Sequence, residues 1–309
     1  MKISIGPISY FWERQKVFDF YKSLEETPVD IVYLGETVCS KRRELSLDDW
    51  LVIADQLSKS GKEVILSTLT LIEAASELSY QNRIALNERY TVEANDMATI
   101  HNLNAKHSFV IGPHINTYNK ATLKLFSEMG GCRWVIPVEL GKETISTILQ
   151  ERTPGMETEI FAFGNLPLAF SARCYTARAH NRPKDSCGFI CVDYPDGLPM
   201  FTQEKEPFLI LNGIQTQSVA KQNLITLLDE INELGIDIIR IMPQAEGTIE
   251  IIDLFHKVMN GEIQPTVALE QMEIFHSFGK CNGYWFGDEG MVWIDKTNKQ
   301  NKSFDSILE

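Results

Sequence analysis

The sequence predicts an α/β fold: a (β/α)8 TIM-like barrel with a cysteine-bearing, β-rich insertion after the seventh strand. Three observations predict it. Short apolar runs alternate with stretches of helical period, the pattern of parallel strands joined by right-handed crossovers. Eight such units over about 260 residues are what a closed barrel requires. No glycine-rich phosphate loop follows the first strand, which argues against an open doubly wound sheet.

In chain order, the strand-like runs are ISIGPI, DIVYLGE, EVILSTL, TVEAN, SFVIGP, WVIPVEL, EIFAFGN and IDIIRIMP. The stretch SLDDWLVIADQLSKSGKE reads as a helix that Ser46 caps and Gly61 ends, because a hydroxyl satisfies the first free N–H groups and glycine adopts the left-handed terminus. NKATLKLFSEMGG likewise closes on glycine. Between the seventh and last strands the rhythm breaks for longer than a plain connection allows. Residues 166–217 are the predicted insertion, with the turn-rich VDYPDGLPM and the strand-like EPFLILNGIQTQ. Residues 265–309 are expected to form a hairpin-like tail around CNGYWFGDEGMVWID, all within one barrel domain spanning 1–309.

The chain has 309 residues, 44% hydrophobic and 23% charged, with a formal net charge of −13. That composition is ordinary for a globular protein, and the charge argues against a nucleic-acid backbone or an anionic membrane as the main partner. MKISIGPISYFWERQK lacks the features of a secretory signal, and no apolar run is long enough to span a bilayer. The expected compartment is the cytoplasm. Its thiols stay reduced, which shifts clustered cysteines towards metal or redox chemistry.

Three of the six cysteines, Cys174, Cys187 and Cys191, fall within SARCYTARAHNRPKDSCGFIC. Cys39 lies just beyond the carboxyl end of the second strand and Cys174 beyond that of the seventh. In a parallel barrel both loops open on the C-terminal face, so Cys39 can join the other three. Cys132 is expected near the opposite face. One tight pair with distant partners suits a zinc ribbon poorly, whereas four thiolates from two loops suit an iron–sulfur cluster. Arg173, Arg178, Arg182, Lys184 and the run Lys41, Arg42, Arg43 would stabilise such an anionic group by Coulomb attraction. Buried, inert thiols are the competing reading, and His180 is a further candidate ligand.

EIFAFGNLPLAFSARC resembles the hallmark segment of the collagenase-like peptidase family U32 through Glu159, Phe161, Gly164, Leu166 and Cys174; Pro167 replaces that family's first cysteine. SARCYTARAHNRPKDSCGFICVDYPDG, EPFLILNGIQTQS, GETVCSKRRE and CNGYWFGDEGM are similar to a branch of the family that serves ubiquinone biosynthesis. The resemblance implies a 4Fe-4S cluster held by Cys39, Cys174, Cys187 and Cys191. It also implies oxygen-independent hydroxylation of a small quinone precursor, a heterodimer with a UbiU-like sister subunit, and a UbiT-like lipid-binding accessory protein. The alternatives are a non-catalytic electron-transfer or structural partner and an RNA hydroxylase of the same family. Peptidase chemistry is not expected: the chain has no H-E-x-x-H motif and no G-x-S-x-G elbow.

Glu36, Glu93, Asn95, His114, Asn116, Glu139 and Asn165 are expected at the barrel mouth, each by default a structural hydrogen-bonding group. Tyr284, Trp285 and Phe286 are expected to pack in the core.

Overall fold

The computed structural model describes residues 1–104 and 106–295. These form β1 (Lys2–Ile5), β2 (Ile31–Leu34), β3 (Glu63–Ser67), β4 (Thr91–Ala94), β5 (Phe109–Ile111), β6 (Gly131–Val135), β7 (Glu157–Phe170), β8 (Leu198–Phe201), β9 (Pro207–Asn212), β10 (Gln215–Asn223), β11 (Ile238–Ile241) and β12 (Lys280–Cys281). Strands β1 to β7 run parallel in sequence order, and β11 pairs with both β7 and β1, closing an eight-stranded barrel. All eight predicted barrel strands are present. The sixth begins earlier than WVIPVEL suggests, at Gly131, and ends at Val135, because Pro137 has no N–H to continue the ladder.

Alternation along each strand separates two apolar regions. On β2, Val32 and Leu34 join the large core between barrel and helices, whereas Ile31 and Tyr33 join Ile65, Val110, Val135 and Ile238 in a second cluster. The helix Leu47–Lys59 begins as predicted: Ser46 accepts from the Asp49 N–H at 3.2 Å, and the Asp49 carboxylate accepts from the Ser46 N–H at 2.8 Å. Its buried Leu47, Trp50, Ile53, Ala54 and Leu57 form one stripe, which anchors the helix to the barrel.

The same alternation buries a charged layer. Arg240 lies 2.6 Å from Glu159 and 2.8 Å from Glu93, with its guanidinium 4.0 Å from the Tyr33 ring centroid. Glu159 also accepts from Ser4 at 2.6 Å and from Tyr33 at 2.5 Å. Buried charges persist when paired and hydrogen-bonded; Glu159 meets both conditions, and Arg240 Nη2 and Glu93 Oε1 meet as an ion pair.

Strand β7 outruns the barrel. Its last residues pair antiparallel with β10, which continues through β9 to β8. The short helix Tyr175–Ala179 and two 3-10 turns, Lys184–Ser186 and Ile190–Asp193, lie between β7 and β8. Residues 265–295 form a helix (Pro265–Gln271), two 3-10 turns and β12, which pairs parallel with β10. Beyond β12 the chain folds back on itself: the Asn282 and Gly283 N–H groups donate to the Val292 carbonyl at 3.0 and 3.1 Å, and the Asn282 side chain bonds the N–H and C=O of Ile294 at 2.7 and 3.0 Å. Residues 296–309 lie outside the described residues. Trp285 is buried, and Tyr284 and Phe286 pack partly buried against apolar clusters. No helix among the described residues is long and apolar enough to cross a membrane.

Candidate functional site

A cavity where the insertion meets the loop after β2 is lined by Cys39, Cys174, Cys187 and Cys191 together with Lys41, Arg42, Lys184, Thr176, Ala177, Phe189, Ile190 and Gly213. Each thiol reaches it by a local device. Glu36 accepts from the Val38 and Cys39 N–H groups at 2.8 and 2.9 Å, folding the strand end into a tight turn that carries Cys39. Cys174 is the N-cap of Tyr175–Ala179, its Sγ accepting from the Ala177 N–H at 3.4 Å. Between Cys187 and Cys191, Gly188 and Phe189 both take left-handed backbone, with φ of +62° and +54°. The chain therefore reverses within three residues, and both flanking thiols line the same cavity.

Two cations stitch the loops together. Lys41 Nζ donates to the Lys184 carbonyl and the Asp185 carboxylate, both at 3.0 Å. Lys184 pairs with Glu73 and donates to the Ala172 carbonyl. Arg42 is buried; its Nη1 donates to Ser9 O and its Nη2 to Asn212 Oδ1, each at 2.7 Å, and Glu36 lies 3.8 Å away. Its Nε–H has no hydrogen-bond acceptor among the described residues. Burial pushes the Cys39 and Cys191 thiols up, and the Arg42 charge pulls both back.

Four thiols, a buried guanidinium with an unspent N–H and a largely apolar wall suit an anionic sulfur-ligated group. No three His, Cys, Asp or Glu side chains among the described residues gather closely enough to hold one metal ion.

Other sequence candidates are placed elsewhere. His180 stacks on Tyr194, its Nε2 3.1 Å from the hydroxyl, and does not line the cavity. Cys132 sits at the start of β6, near the opposite end of the barrel, with Sγ 3.3 Å from the Phe109 carbonyl. Cys281 is buried among Val138, Phe161 and Leu166, where desolvation pushes its thiol up to about 12. Of the expected cations only Lys41, Arg42 and Lys184 line the cavity; Arg182 instead donates to the Cys187 carbonyl. Glu93 belongs to the barrel's charged layer. Asn95 donates to the Thr68 carbonyl, Asn165 bridges Tyr10 and the Ser218 carbonyl, and His114 packs edge-on to Phe170. Glu139 meets Tyr118, and Asn116 is exposed.

Sequence reasoning missed Gly213. It occupies the β9–β10 turn at φ +64°, where a Cβ would lie 2.8 Å from Arg42 Nη2. The Asn212-Gly213 dipeptide was the available signal.

A (β/α)8 barrel with a thiol-lined cavity at its C-terminal mouth is the class of protein that fold and site define. The sequence profile of Peptidase family U32 matches residues 18–291, and the chain belongs to that family. It is 42% identical over 59 residues to tRNA hydroxylation protein P of Escherichia coli (strain K12), a match covering 19% of this chain and only 13% of that protein. Among solved structures it is similar to the U32 peptidase Mk0906, at 12% identity and a TM-score of 0.34 over 78% of this chain and 84% of that one. It is also similar to the Bacillus subtilis spore coat polysaccharide biosynthesis protein SpsE, at 9% identity and a TM-score of 0.35 over 97% and 75%. Scores this low carry no structural argument.

Proposed function

We propose that this chain is a UbiV-type subunit that holds a 4Fe-4S cluster on Cys39, Cys174, Cys187 and Cys191. In this reading it works with a UbiU-like partner, and with a UbiT-like lipid-binding accessory protein, in oxygen-independent hydroxylation of a quinone precursor in the cytoplasm. The observation that carries the reading is the convergence of these thiols, from two loops far apart in sequence, on one cavity. When bound, such a cluster supplies one-electron chemistry. The chain's own residues bind and shield it: Glu36 fixes the Cys39 turn, Arg42 supplies buried positive charge, and Phe189 and Ile190 limit water.

Anaerobic purification with iron and sulfide counts tests this reading. About four of each per chain is expected, with loss in Cys39→Ala; zinc, or no metal in fresh anaerobic protein, would sink it. The partial similarity to a tRNA hydroxylation protein favours a second reading, an RNA hydroxylase. Hydroxylated tRNA lost on deletion of this gene, with quinone levels unchanged, would select it.

A further inference from the structure

Arg42 follows Cys39 by three residues in the loop after β2 and lines the thiol cavity. Its side chain is 2% exposed, so its charge lacks the water that screens a surface cation. The guanidinium is fixed in place from several sides. Nη1 donates to the Ser9 carbonyl and Nη2 to Asn212 Oδ1, each at 2.7 Å. Asn212 is held in turn, its Nδ2 donating to the same Ser9 carbonyl at 2.7 Å. Gly213 leaves the room: a Cβ there would lie 2.8 Å from Nη2 and 3.9 Å from Nε.

These contacts leave Nε–H without an acceptor among the described residues, while the guanidinium also reaches the Cys191 sulfur. An unpartnered buried donor is costly. The charge is incompletely balanced as well. Glu36 is the one ion-pair partner of Arg42 among the described residues, at 3.8 Å, and the same Oε1 already accepts from the Val38 and Cys39 N–H groups. No carboxylate lines the cavity. Lys41, the neighbouring cation on its wall, differs on both counts: its side chain is 34% exposed, and it pairs with Asp185 at 3.0 Å.

Resting on the cluster reading above, we propose that Arg42 sets the reduction potential of the sulfur-ligated group held by Cys39, Cys174, Cys187 and Cys191, favouring its reduced state. A centre bound by four thiolates gains a further negative charge on reduction. A fixed, poorly screened cation therefore stabilises the reduced form more than the oxidised one. Hydrogen bonds to the sulfurs tune the potential too, and the guanidinium is placed to make one at Cys191. A residue that merely braced the two loops would support the fold and leave the potential where it was. Arg42 is thus a positioning residue that acts through the ligand sulfurs.

The test is an anaerobic potentiometric titration of the full chain, followed by its visible spectrum, on native protein, Arg42→Gln, Arg42→Lys and Lys41→Gln, with an iron count on each. In Arg42→Gln the ratio of reduced to oxidised protein at a fixed potential is expected to fall about tenfold, a midpoint lower by about 59 mV for one electron. Arg42→Lys keeps the charge but lacks the planar fork, and should fall by less. Lys41→Gln should stay near the native value, because the charge it removes is already paired and wet. An iron-replete Arg42→Gln that titrates with the native protein would overturn the proposal, and so would an equal drop in Lys41→Gln. Where Arg42→Gln does not keep its iron, Arg42→Lys and Gly213→Ala decide, since both disturb the guanidinium donors; native potentials in both would also overturn it. Iron counts keep the two ideas apart. Native protein without iron defeats the cluster reading, whereas iron-replete variants with unmoved potentials defeat only the role of Arg42.

Discussion

Arg42 shows how one side chain ties the site together. Its guanidinium reaches Ser9 O, Asn212 Oδ1 and Glu36 from a buried position. Removing it leaves Asn212 Oδ1 without its Arg42 donor and Glu36 without its buried counter-charge, while Ser9 O keeps only the Asn212 Nδ2 bond, and breaking a buried pair is costly where an exposed one is not. Arg42→Gln is therefore expected to lower stability by roughly 3 kcal/mol, read from the midpoint shift in urea unfolding. The exposed pair Lys257–Asp253 provides the contrast: Lys257→Gln should leave the midpoint essentially where it is, because a solvent-screened pair adds little. Equal shifts would show that Arg42 is not held as its contacts indicate. Its Nε–H is left without an acceptor among the described residues, and its charge pulls the Cys191 thiol down against the effect of burial.

Among the elements, the β9–β10 hairpin is where backbone geometry and site chemistry meet. Gly213 is left-handed and sits against Arg42, whereas Gly155, with φ +85°, has nothing within 4 Å of a built Cβ. Left-handed backbone alone penalises a side chain by roughly 1–2 kcal/mol. Gly155→Ala should lose about that much; Gly213→Ala should lose more and displace Arg42, which comparing the two unfolding midpoints would show. The Asn-Gly turn was visible in the sequence, yet its contact with Arg42 was not, because the two meet only when the insertion folds back on the loop after β2. The barrel strands were legible because their apolar period and spacing are local. Cys39 could be matched with the distant cysteines because every βα loop of a parallel barrel opens on the same face. The charged layer was harder to see: Glu159 and Arg240 lie in runs that read as plain apolar strands, and only ring closure brings them together. In the tail, the glycines and aromatics mark a segment that folds back on itself between Asn282 and Ile294, but the parallel pairing of β12 with β10 was not legible, because β10 is an element the tail's own sequence does not contain.

Taken as a whole molecule, the fold stores its acid sensitivity in two histidines. His114, at the barrel mouth, packs against Phe170, and burial with the nearby Arg240 charge lowers it to about 4. His276, where the tail meets the barrel, packs on Phe163 and lies 3.2 Å from Asn223 Nδ2. Burial also lowers it to about 4, with Glu273 opposing and Lys280 and Lys221 reinforcing the shift. In the unfolded chain both would titrate near the ordinary value of about 6.5. Between about pH 4 and 6.5 the unfolded state therefore binds more protons than the folded one, so stability rises with pH across that window and falls as the solution is acidified through it. Glu159 behaves differently. Burial opposes its ionisation, but Arg240 and Arg133 hold it below the ordinary carboxylate range, so its contribution is present above that range and lost only under stronger acid. The thermal midpoint is accordingly expected to drop from pH 7 to pH 5 in the native chain, and to drop less in His276→Gln or His114→Asn. Equal slopes in all three would place the acid sensitivity elsewhere. A flatter slope in His276→Gln alone would assign it to the docking of the tail on the barrel, separating that contact from the barrel mouth where the thiol cavity lies.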